Sequence, residues 1–310
     1  MEFFKPDLNF DFVGKRRIFA GISCAAVLLS VLLLAVKGLN YGIDFTGGTI
    51  VQVAFKEKKP IAEVRRAVSG LGLGDTVIQE FGSDREFLIR VQKMRGAAEG
   101  ADKQITDALA KAFGRGAFEM RRTESVGPQV GDDLKRKAMS SVIFAWFGIL
   151  IYVGFRFRFV PAAASIVALI HDVVITLGAL ALTGKEFNLP VVAAILTIIG
   201  YSINDTIVVF DRIRENTRLS RRSELGELIN ASINQTLSRT ILTGGTTLLT
   251  VLAFLFLGGE VISDFAFTLL VGIVVGTYSS IYVASPILLA FPGYSGGTTA
   301  PRRKKAPARA

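Results

Sequence analysis

Six long apolar segments constrain this chain of 310 residues more than any other feature of its sequence. They occupy residues 18–36, 138–155, 160–183, 191–210, 240–257 and 265–291. Each is close to the roughly 20 apolar residues that an α-helix needs to cross about 30 Å of hydrocarbon. Hydrophobic residues make up 50% of the chain, which also favours a membrane protein. The sequence therefore predicts a membrane α-helical protein with six transmembrane helices.

Basic residues predict how these helices are oriented. They lie before the first segment, between the second and third, between the fourth and fifth, and after the sixth, whereas the two opposite loops contain only Lys185. The positive-inside rule then places residues 1–17 and the basic tail 292–310 in the cytoplasm and residues 37–137 on the other side. The net charge of +10 therefore reflects topology and attraction to membrane lipids, and we expect no nucleic acid as a partner.

The first apolar segment, 18–36, follows three basic residues, as the apolar region of a signal peptide would. Its apolar stretch is too long for such a region, and no small-x-small cleavage site follows Val36. We therefore interpret it as a retained anchor. Cys24, within this segment, is the only cysteine of the chain. An intramolecular disulfide and a multi-thiolate metal site are thereby excluded.

Residues 37–137 predict an inserted domain in which strands and helices alternate. The apolar patterns predict strands at 49–55, 75–81, 85–92 and 118–126 and helices at 60–71 and 99–113. The order β-α-β-β-α-β is that of a ferredoxin-like α+β domain. The domain contains no histidine, no cysteine and no carboxylates clustered at the spacing of metal ligands. We therefore predict an interaction domain with no metal, no cofactor and no enzymatic activity.

Asp205 lies deep in the fourth apolar segment, among isoleucines and valines. A carboxyl group at that depth costs about 2.5–3.5 kcal/mol on insertion scales, so such residues mark functional sites by default. Thr197 and Tyr201 precede it at intervals of four residues, and Asn204 is adjacent to it. This polar stripe must face protein or water, because lipid offers its members no hydrogen-bond partner.

A second polar stripe begins at the cytoplasmic end of the fifth segment. It consists of Arg239, Thr243, Thr246, Thr247 and Thr250. If the fourth and fifth helices pack together, Arg239 approaches Asp205 and favours its ionised form. Protonation of Asp205 would then weaken the pair and let the helices shift, as a proton-driven switch requires. The alternative is a buried pair that fixes the helix register and moves no proton.

His171 and Asp172 form a second ionisable pair, midway along the third segment. Histidine titrates near neutral pH and could pass protons. A polar contact to a neighbouring helix is an equally good interpretation. We include both residues in a possible supporting polar track, whose other members are Asn204, Tyr201, Thr243 and Thr247.

Two further patterns predict packing surfaces. Residues 223–237 place leucines and isoleucines on one face and polar side chains elsewhere, which predicts an amphipathic helix on the cytoplasmic interface. Gly272, Gly276 and Ser280 form a ridge of small residues on the sixth segment, which is typical of close helix packing.

Five sequence blocks together resemble the SecD/SecF family of protein-export membrane subunits. They are 41–49 (YGIDFTGGT), 126–130 (VGPQV), the His171-Asp172 pair, 200–216 around Asp205, and 238–247 (SRTILTGGTT). Their order and spacing are similar to those of the SecF members of the family from residue 12 to residue 289. The first block alone would fit SecD as well.

The resemblance implies a multi-pass subunit of the bacterial inner membrane, in the resistance-nodulation-division superfamily, with both termini cytoplasmic and the inserted domain periplasmic. It implies pairing with SecD, association with the SecYEG channel and YajC, and preprotein substrates that the ATPase SecA has driven into the channel. Together with SecD, such a subunit is expected to use the proton motive force for the late translocation and release of preproteins, with protons as the coupling ion and no cofactor. The family's proton-pathway aspartate and essential arginine match Asp205 and Arg239, and Asp172 is a weaker match.

Two other functions remain open from the sequence. A small-molecule or lipid exporter of the same superfamily would need a duplicated, longer chain with large porter domains. A non-transporting scaffold or assembly subunit of the translocon would need no ionisable track. No nucleotide site is visible, because Gly184-Lys185 is followed by Glu186 where a phosphate-binding loop needs serine or threonine, so energy must come from another source.

Overall fold

The computed structural model describes residues 10–73, 76–91, 100–157, 159–220 and 224–291, so the predicted basic tail, 292–310, lies outside the described residues. The described helices are α1 (Arg16–Val36), α2 (Ile43–Thr46), α3 (Ile61–Ser69), α4 (Ala101–Phe113), α5 (Pro128–Arg156), α6 (Phe159–Thr183), α7 (Leu189–Leu219), α8 (Leu225–Leu257), α9 (Glu260–Ser279) and α10 (Ser285–Ala290). The described strands are β1 (Asn40–Tyr41), β2 (Gly48–Phe55), β3 (Thr76–Phe81), β4 (Ser83–Val91), β5 (Phe118–Val126) and β6 (Glu186–Phe187). A π-helical turn, Ser280–Ala284, joins α9 to α10.

The described helices form six spans that are long and apolar enough to cross a membrane, which confirms the predicted fold class. α1, α5, α6, α7 and α8 each provide one span, and α9, the π turn and α10 together provide the sixth. The protein is therefore a multi-pass membrane protein. Both α5 and α8 begin well before the predicted spans 138–155 and 240–257, because polar turns continue these helices beyond their apolar stretches.

Between α1 and α5 the chain forms the predicted ferredoxin-like domain. Its sheet has the strand order β3-β4-β2-β5, with antiparallel neighbours throughout. Alternate strand residues such as Val53 and Phe87 are fully buried against α3 and α4. Burial of this face specifies the strand register, because a slip of one residue would turn the apolar side chains outward. Residues 75, 92 and 99, at ends of predicted elements, lie outside the described residues.

The fourth transmembrane helix, α7, forms the centre of the membrane part. It begins after Asn188, whose side-chain Oδ1 accepts a hydrogen bond from the backbone N–H of Val191 at 3.1 Å. It packs against α5, α6, α8 and α9. In its most apolar window 56% of the residues are buried, compared with 17% for α8. Side chains on α7 are thus surrounded by protein to a greater extent than those on α8.

The ridge of small residues predicted on the sixth segment packs against α7. A Cβ atom added at Gly276 would lie 3.1 Å from the Ser202 Cβ atom and 3.4 Å from its Oγ atom. Gly272 faces Ile198 of α7 at even closer range. The absence of side chains on these glycines lets the two helices approach closely. Ser280, the third member of the ridge, lies in the π turn and is buried.

Gly276→Ala is expected to lower the melting temperature of the purified protein. The added methyl group crowds α7, and overpacking of this kind costs about 1–3 kcal/mol. Gly245→Ala on α8 is the matched control, since an added Cβ there meets nothing within 4 Å and alanine is the better helix former. Thermal unfolding in detergent compares both variants with the parent chain. Equal melting temperatures for the two variants would contradict the prediction.

The predicted amphipathic helix 223–237 is not a separate element on the interface. The structure joins its described part to the fifth span in the single helix α8, and residues 221–223 lie outside the described residues. The Oδ1 atoms of Asn230 and Asn234 accept hydrogen bonds from the backbone N–H groups of Phe12 and Phe10, at 2.8 Å and 2.9 Å. The N-terminal segment therefore covers polar groups that the sequence alone would assign to the membrane surface.

Candidate functional site

Asp205 lies on the buried side of α7. Only 4% of its surface is exposed, and its Oδ2 atom has no hydrogen-bond partner among the described residues. A buried polar group without a partner costs about 1–3 kcal/mol, and a charged one costs more. Binding a proton would remove the charge and thus most of that cost. The position therefore suits a group that changes its protonation state rather than a fixed structural contact.

Arg239, the predicted partner of Asp205, lies on α8 and has an exposed side chain. α7 and α8 pack together, which the predicted approach of the two residues requires. Arg239 is close enough to interact electrostatically with Asp205. Within the described part of the chain, however, no nitrogen–oxygen distance of 4.0 Å or less joins the two side chains as a salt bridge. The charges attract each other while the carboxyl oxygen stays unpaired.

Tyr201 lies one helical turn before Asp205 and points towards α8. Its hydroxyl group is near the side chains of Thr243 and Thr247, but it forms no hydrogen bond with a described residue. The two threonine hydroxyls instead donate to carbonyl oxygens of their own helix, to Arg239 O at 2.9 Å and to Thr243 O at 2.8 Å. Their oxygen lone pairs remain available as acceptors. The structure thus brings Tyr201 and both threonines of the predicted track together.

Thr277 of α9 is a member of this region that the sequence analysis missed. Its Oγ1 atom is buried without a hydrogen-bond partner among the described residues. A Cβ atom added at Gly244 of α8 would lie 3.4 Å from that oxygen and 3.7 Å from the Tyr201 hydroxyl. Three helices therefore converge at Gly244 and leave two unpaired hydroxyl groups there. A threonine directly after Gly276 in the sixth segment is a signal too common to single out from sequence.

Asn204 does not join the buried site, although it is adjacent to Asp205. Its side chain is exposed on α7, as are those of Ala193 and Thr197 and the backbone of Gly200. These residues form a small and polar stripe that lies outside the packed helices of this chain. An exposed amide at this depth lacks a partner in hydrocarbon, so it requires either a second protein surface or water there.

His171 and Asp172 form a separate buried network on the side of α7 that faces α6 and α9. Asp172 is completely buried. Its Oδ1 atom lies 2.9 Å from His171 Nδ1, and its Oδ2 atom accepts hydrogen bonds from Ser202 at 2.5 Å and Ser279 at 2.8 Å. The His171 ring stacks on Tyr278 at a centroid distance of 6.2 Å.

The two intramembrane carboxylates therefore differ in how well they are satisfied. Both oxygens of Asp172 have partners from three helices, α6, α7 and α9, whereas Asp205 Oδ2 has none among the described residues. Paired oxygens favour a fixed geometry of the Asp172 carboxylate, while His171 Nε2 beside it is buried without a hydrogen-bond partner among the described residues. The contacts of Asp172 are those expected of a packing centre, and the contacts of Asp205 are those expected of a group that binds and releases a proton. The functional roles of both residues stay predictions.

Comparison with family models assigns most of the chain. Residues 105–293 match the family described as protein export membrane protein SecD/SecF, C-terminal, and residues 32–59 match the SecD/SecF GG motif. The relative from Calditerrivibrio nitroreducens, a protein translocase subunit SecF, is 48% identical over 93% of this chain and 96% of its own length. The protein translocase subunit SecF of Pseudomonas aeruginosa is 40% identical over 90% of each chain.

Solved structures agree with this assignment. The crystal structure of SecDF from Thermus thermophilus, described as a translocon-associated membrane protein, is 42% identical and superposes with a TM-score of 0.82. A structure of SecDF in a super-membrane-facing form is 41% identical and superposes with a TM-score of 0.69. Each match covers more than nine-tenths of this chain but 39% of the SecDF chain.

Proposed function

This chain belongs to the SecD/SecF family of protein export membrane proteins, and from that premise we propose that it couples the proton motive force to late preprotein translocation and release. Its proposed role is that of the SecF-type subunit of the Sec translocase, acting together with SecD. The observation that carries the proposal is the unpaired buried carboxyl oxygen of Asp205 within electrostatic reach of Arg239.

The coupling step is a change in the attraction between α7 and α8. When Asp205 is ionised, Arg239 draws the two helices together. A proton on Asp205 removes that attraction and changes the relative stability of two helix arrangements. One charge that crosses 100 mV releases about 2.3 kcal/mol, enough for a shift of about fiftyfold in a two-state equilibrium. Protons are the proposed coupling ion, and no cofactor is part of the proposal.

The exposed polar stripe on α7 supports SecD as the partner. Asn204 and Thr197 on α7, with Thr243 and Thr250 on α8, present polar groups at the outside of this chain. The three threonine hydroxyls donate to carbonyl oxygens of their own helices, whereas the Asn204 amide still needs partners within a membrane, which a neighbouring protein can supply. The matching part of SecDF is 42% identical to this chain and makes up 39% of the SecDF chain. We propose that SecD contacts this exposed face of α7 and α8.

The remaining partners and the location follow from the family premise. The proposed partners are the SecYEG channel, YajC, preproteins and, functionally, SecA. The proposed location is the bacterial inner membrane, with the ferredoxin-like domain in the periplasm and both termini in the cytoplasm.

Arg239→Met is expected to abolish proton-dependent preprotein release while the complex with SecD still assembles. Methionine keeps much of the length and apolar surface of the side chain but carries no charge. Inverted vesicles that contain the complex, with and without a protonophore, separate the proton-dependent part of release from the part driven by ATP. Arg239→Lys is the matched control and should keep part of the proton-dependent release, because it keeps the charge.

Normal proton-dependent release by Arg239→Met would overturn the coupling proposal. A non-transporting scaffold would then be the better interpretation. The scaffold interpretation is supported by Asp172, whose two carboxylate oxygens both have partners, as a structural contact would.

A further inference from the structure

The segment that contains the two adjacent glycines Gly47 and Gly48 is bound tightly to the loop before α7. β1 pairs in parallel with β6, with Asn40 opposite Glu186 and Tyr41 opposite Phe187. The pairing is extended by the Gly42 N–H, which donates to Phe187 O at 2.9 Å. The external end of α1 and the external end of α7 are therefore joined by backbone hydrogen bonds.

Asp44, from the same segment, holds the first turn of α7. Its Oδ2 atom accepts a hydrogen bond from the backbone N–H of Leu189 at 2.9 Å, across 145 residues of sequence. The first N–H groups of a helix have no partner within the helix, and a carboxylate there also interacts favourably with the helix dipole. Asn188 caps Val191 in the same turn. One of the two acceptors at the start of α7 thus comes from the segment that leads into the external domain.

A buried ion pair connects the external sheet to the same loop. Arg90, on β4, is 6% exposed and forms a salt bridge with Glu186. Burial lowers the pKa of Arg90 and the charge of Asp264 opposes this effect, but an arginine stays charged at any working pH. Asp264 also accepts hydrogen bonds from Lys185 at 2.9 Å and from the backbone N–H of Glu186 at 3.1 Å. Breaking a buried pair of this kind is strongly unfavourable.

Glycines permit the close approach of these elements. A Cβ atom added at Gly42 would lie 3.2 Å from the Asn188 Cβ atom, and one added at Gly131 would lie 3.0 Å from the backbone nitrogen of Gly47. Gly47 also has a φ of 71°, in the region that favours glycine. The segment is therefore packed between the start of α5 and the start of α7.

We propose that residues 40–48 form a rigid connection between the external domain and α7, with Asp44 and Arg90 as positioning residues. A displacement of the external domain then moves α7, and with it Asp205. α7 is continuous from Leu189 to Leu219, so Asp205 is about 24 Å along the helix from the end that Asp44 holds, at about 1.5 Å per residue. This inference rests on the proposed proton coupling and identifies which residues transmit it.

Asp44→Ala is the test, with proton flux and preprotein release measured separately in the same vesicles. We expect proton flux to remain and proton-dependent release to fall at least about fivefold, the lower end of typical coupling effects. Asp44→Asn, which keeps an oxygen acceptor for Leu189, should retain at least half of the release. A parent chain without any proton-dependent release would overturn the proposed function itself. Normal coupling in Asp44→Ala, or an equal loss of flux and release, would overturn this inference alone.

A reversible crosslink tests whether the connection stays closed. In a Cys24→Ser background, the substitutions Tyr41→Cys and Phe187→Cys fall at paired positions of adjacent strands, and the spacing of adjacent strands is within the Cα range of a disulfide. Since a rigid connection does not open, the oxidised protein should release preprotein within about twofold of the reduced protein, less than a typical coupling effect. Loss of release on oxidation that is restored by dithiothreitol would show that the two parts must separate, and would contradict the inference.

Discussion

Asp205→Asn is expected to abolish proton flux and proton-dependent preprotein release, with a loss of at least about tenfold in each, because a neutral amide cannot carry the coupled charge. Asparagine has almost the shape of aspartate but neither ionises nor takes up a proton near neutral pH. Asp205 Oδ2 makes no hydrogen bond with a described residue, so the substitution should not disturb packing. Flux and release are measured in inverted vesicles beside SecD, and co-purification with SecD reports assembly.

Asp211→Asn is the matched control for this experiment. Asp211 lies six residues later on α7 and forms an ion pair with Arg156 at the end of α5. Both side chains are about a third exposed, and exposed pairs of this kind contribute only about 0–1 kcal/mol. The control should therefore keep both activities. If Asp205→Asn also keeps both, Asp205 is a packing residue and the scaffold interpretation becomes the better one.

Asp172→Ala is expected to destabilise the protein strongly. It removes the acceptor for Ser202 and Ser279 and the partner of His171. Leaving several buried polar groups without partners costs about 3 kcal/mol or more in total. We expect a large fall in the melting temperature in detergent and a low yield of folded protein.

Asp172→Asn separates the structural role from a role in proton transfer. The amide keeps one acceptor oxygen, so its melting temperature should lie between those of the parent chain and Asp172→Ala. Its proton flux should be close to that of the parent. A variant with the parent's melting temperature and no proton flux would show instead that Asp172 carries protons.

Local patterns were enough to predict much of the fold. Apolar length predicted the six spans, because a helix must satisfy its own backbone across a fixed thickness of hydrocarbon. The alternation of apolar and polar residues predicted the external strands and their order along the chain. Asp205 was identifiable from sequence for the same reason, since a carboxylate among isoleucines and valines is conspicuous without any knowledge of its neighbours.

The continuity of α8 was less accessible to sequence reasoning. Its polar first half and apolar second half look like two elements in sequence, yet no proline interrupts them and one buried stripe runs from Leu228 to Thr240. Whether Asn230 and Asn234 face water or protein depends on where the N-terminal segment lies. That placement is a tertiary contact, and hydrophobic periodicity carries no information about it.

The sequence by itself determined the number of spans, the ferredoxin-like domain and the residues that carry intramembrane charge, because each follows from solvation of the local chain. Only the tertiary structure decided which of those charges are satisfied. Ser202 and Ser279 complete the shell of Asp172, and Asp44 reaches the start of α7 from 145 residues away. Hydrogen bonds between residues that are far apart in sequence depend on how helices and strands pack. Composition and residue spacing do not predict that packing.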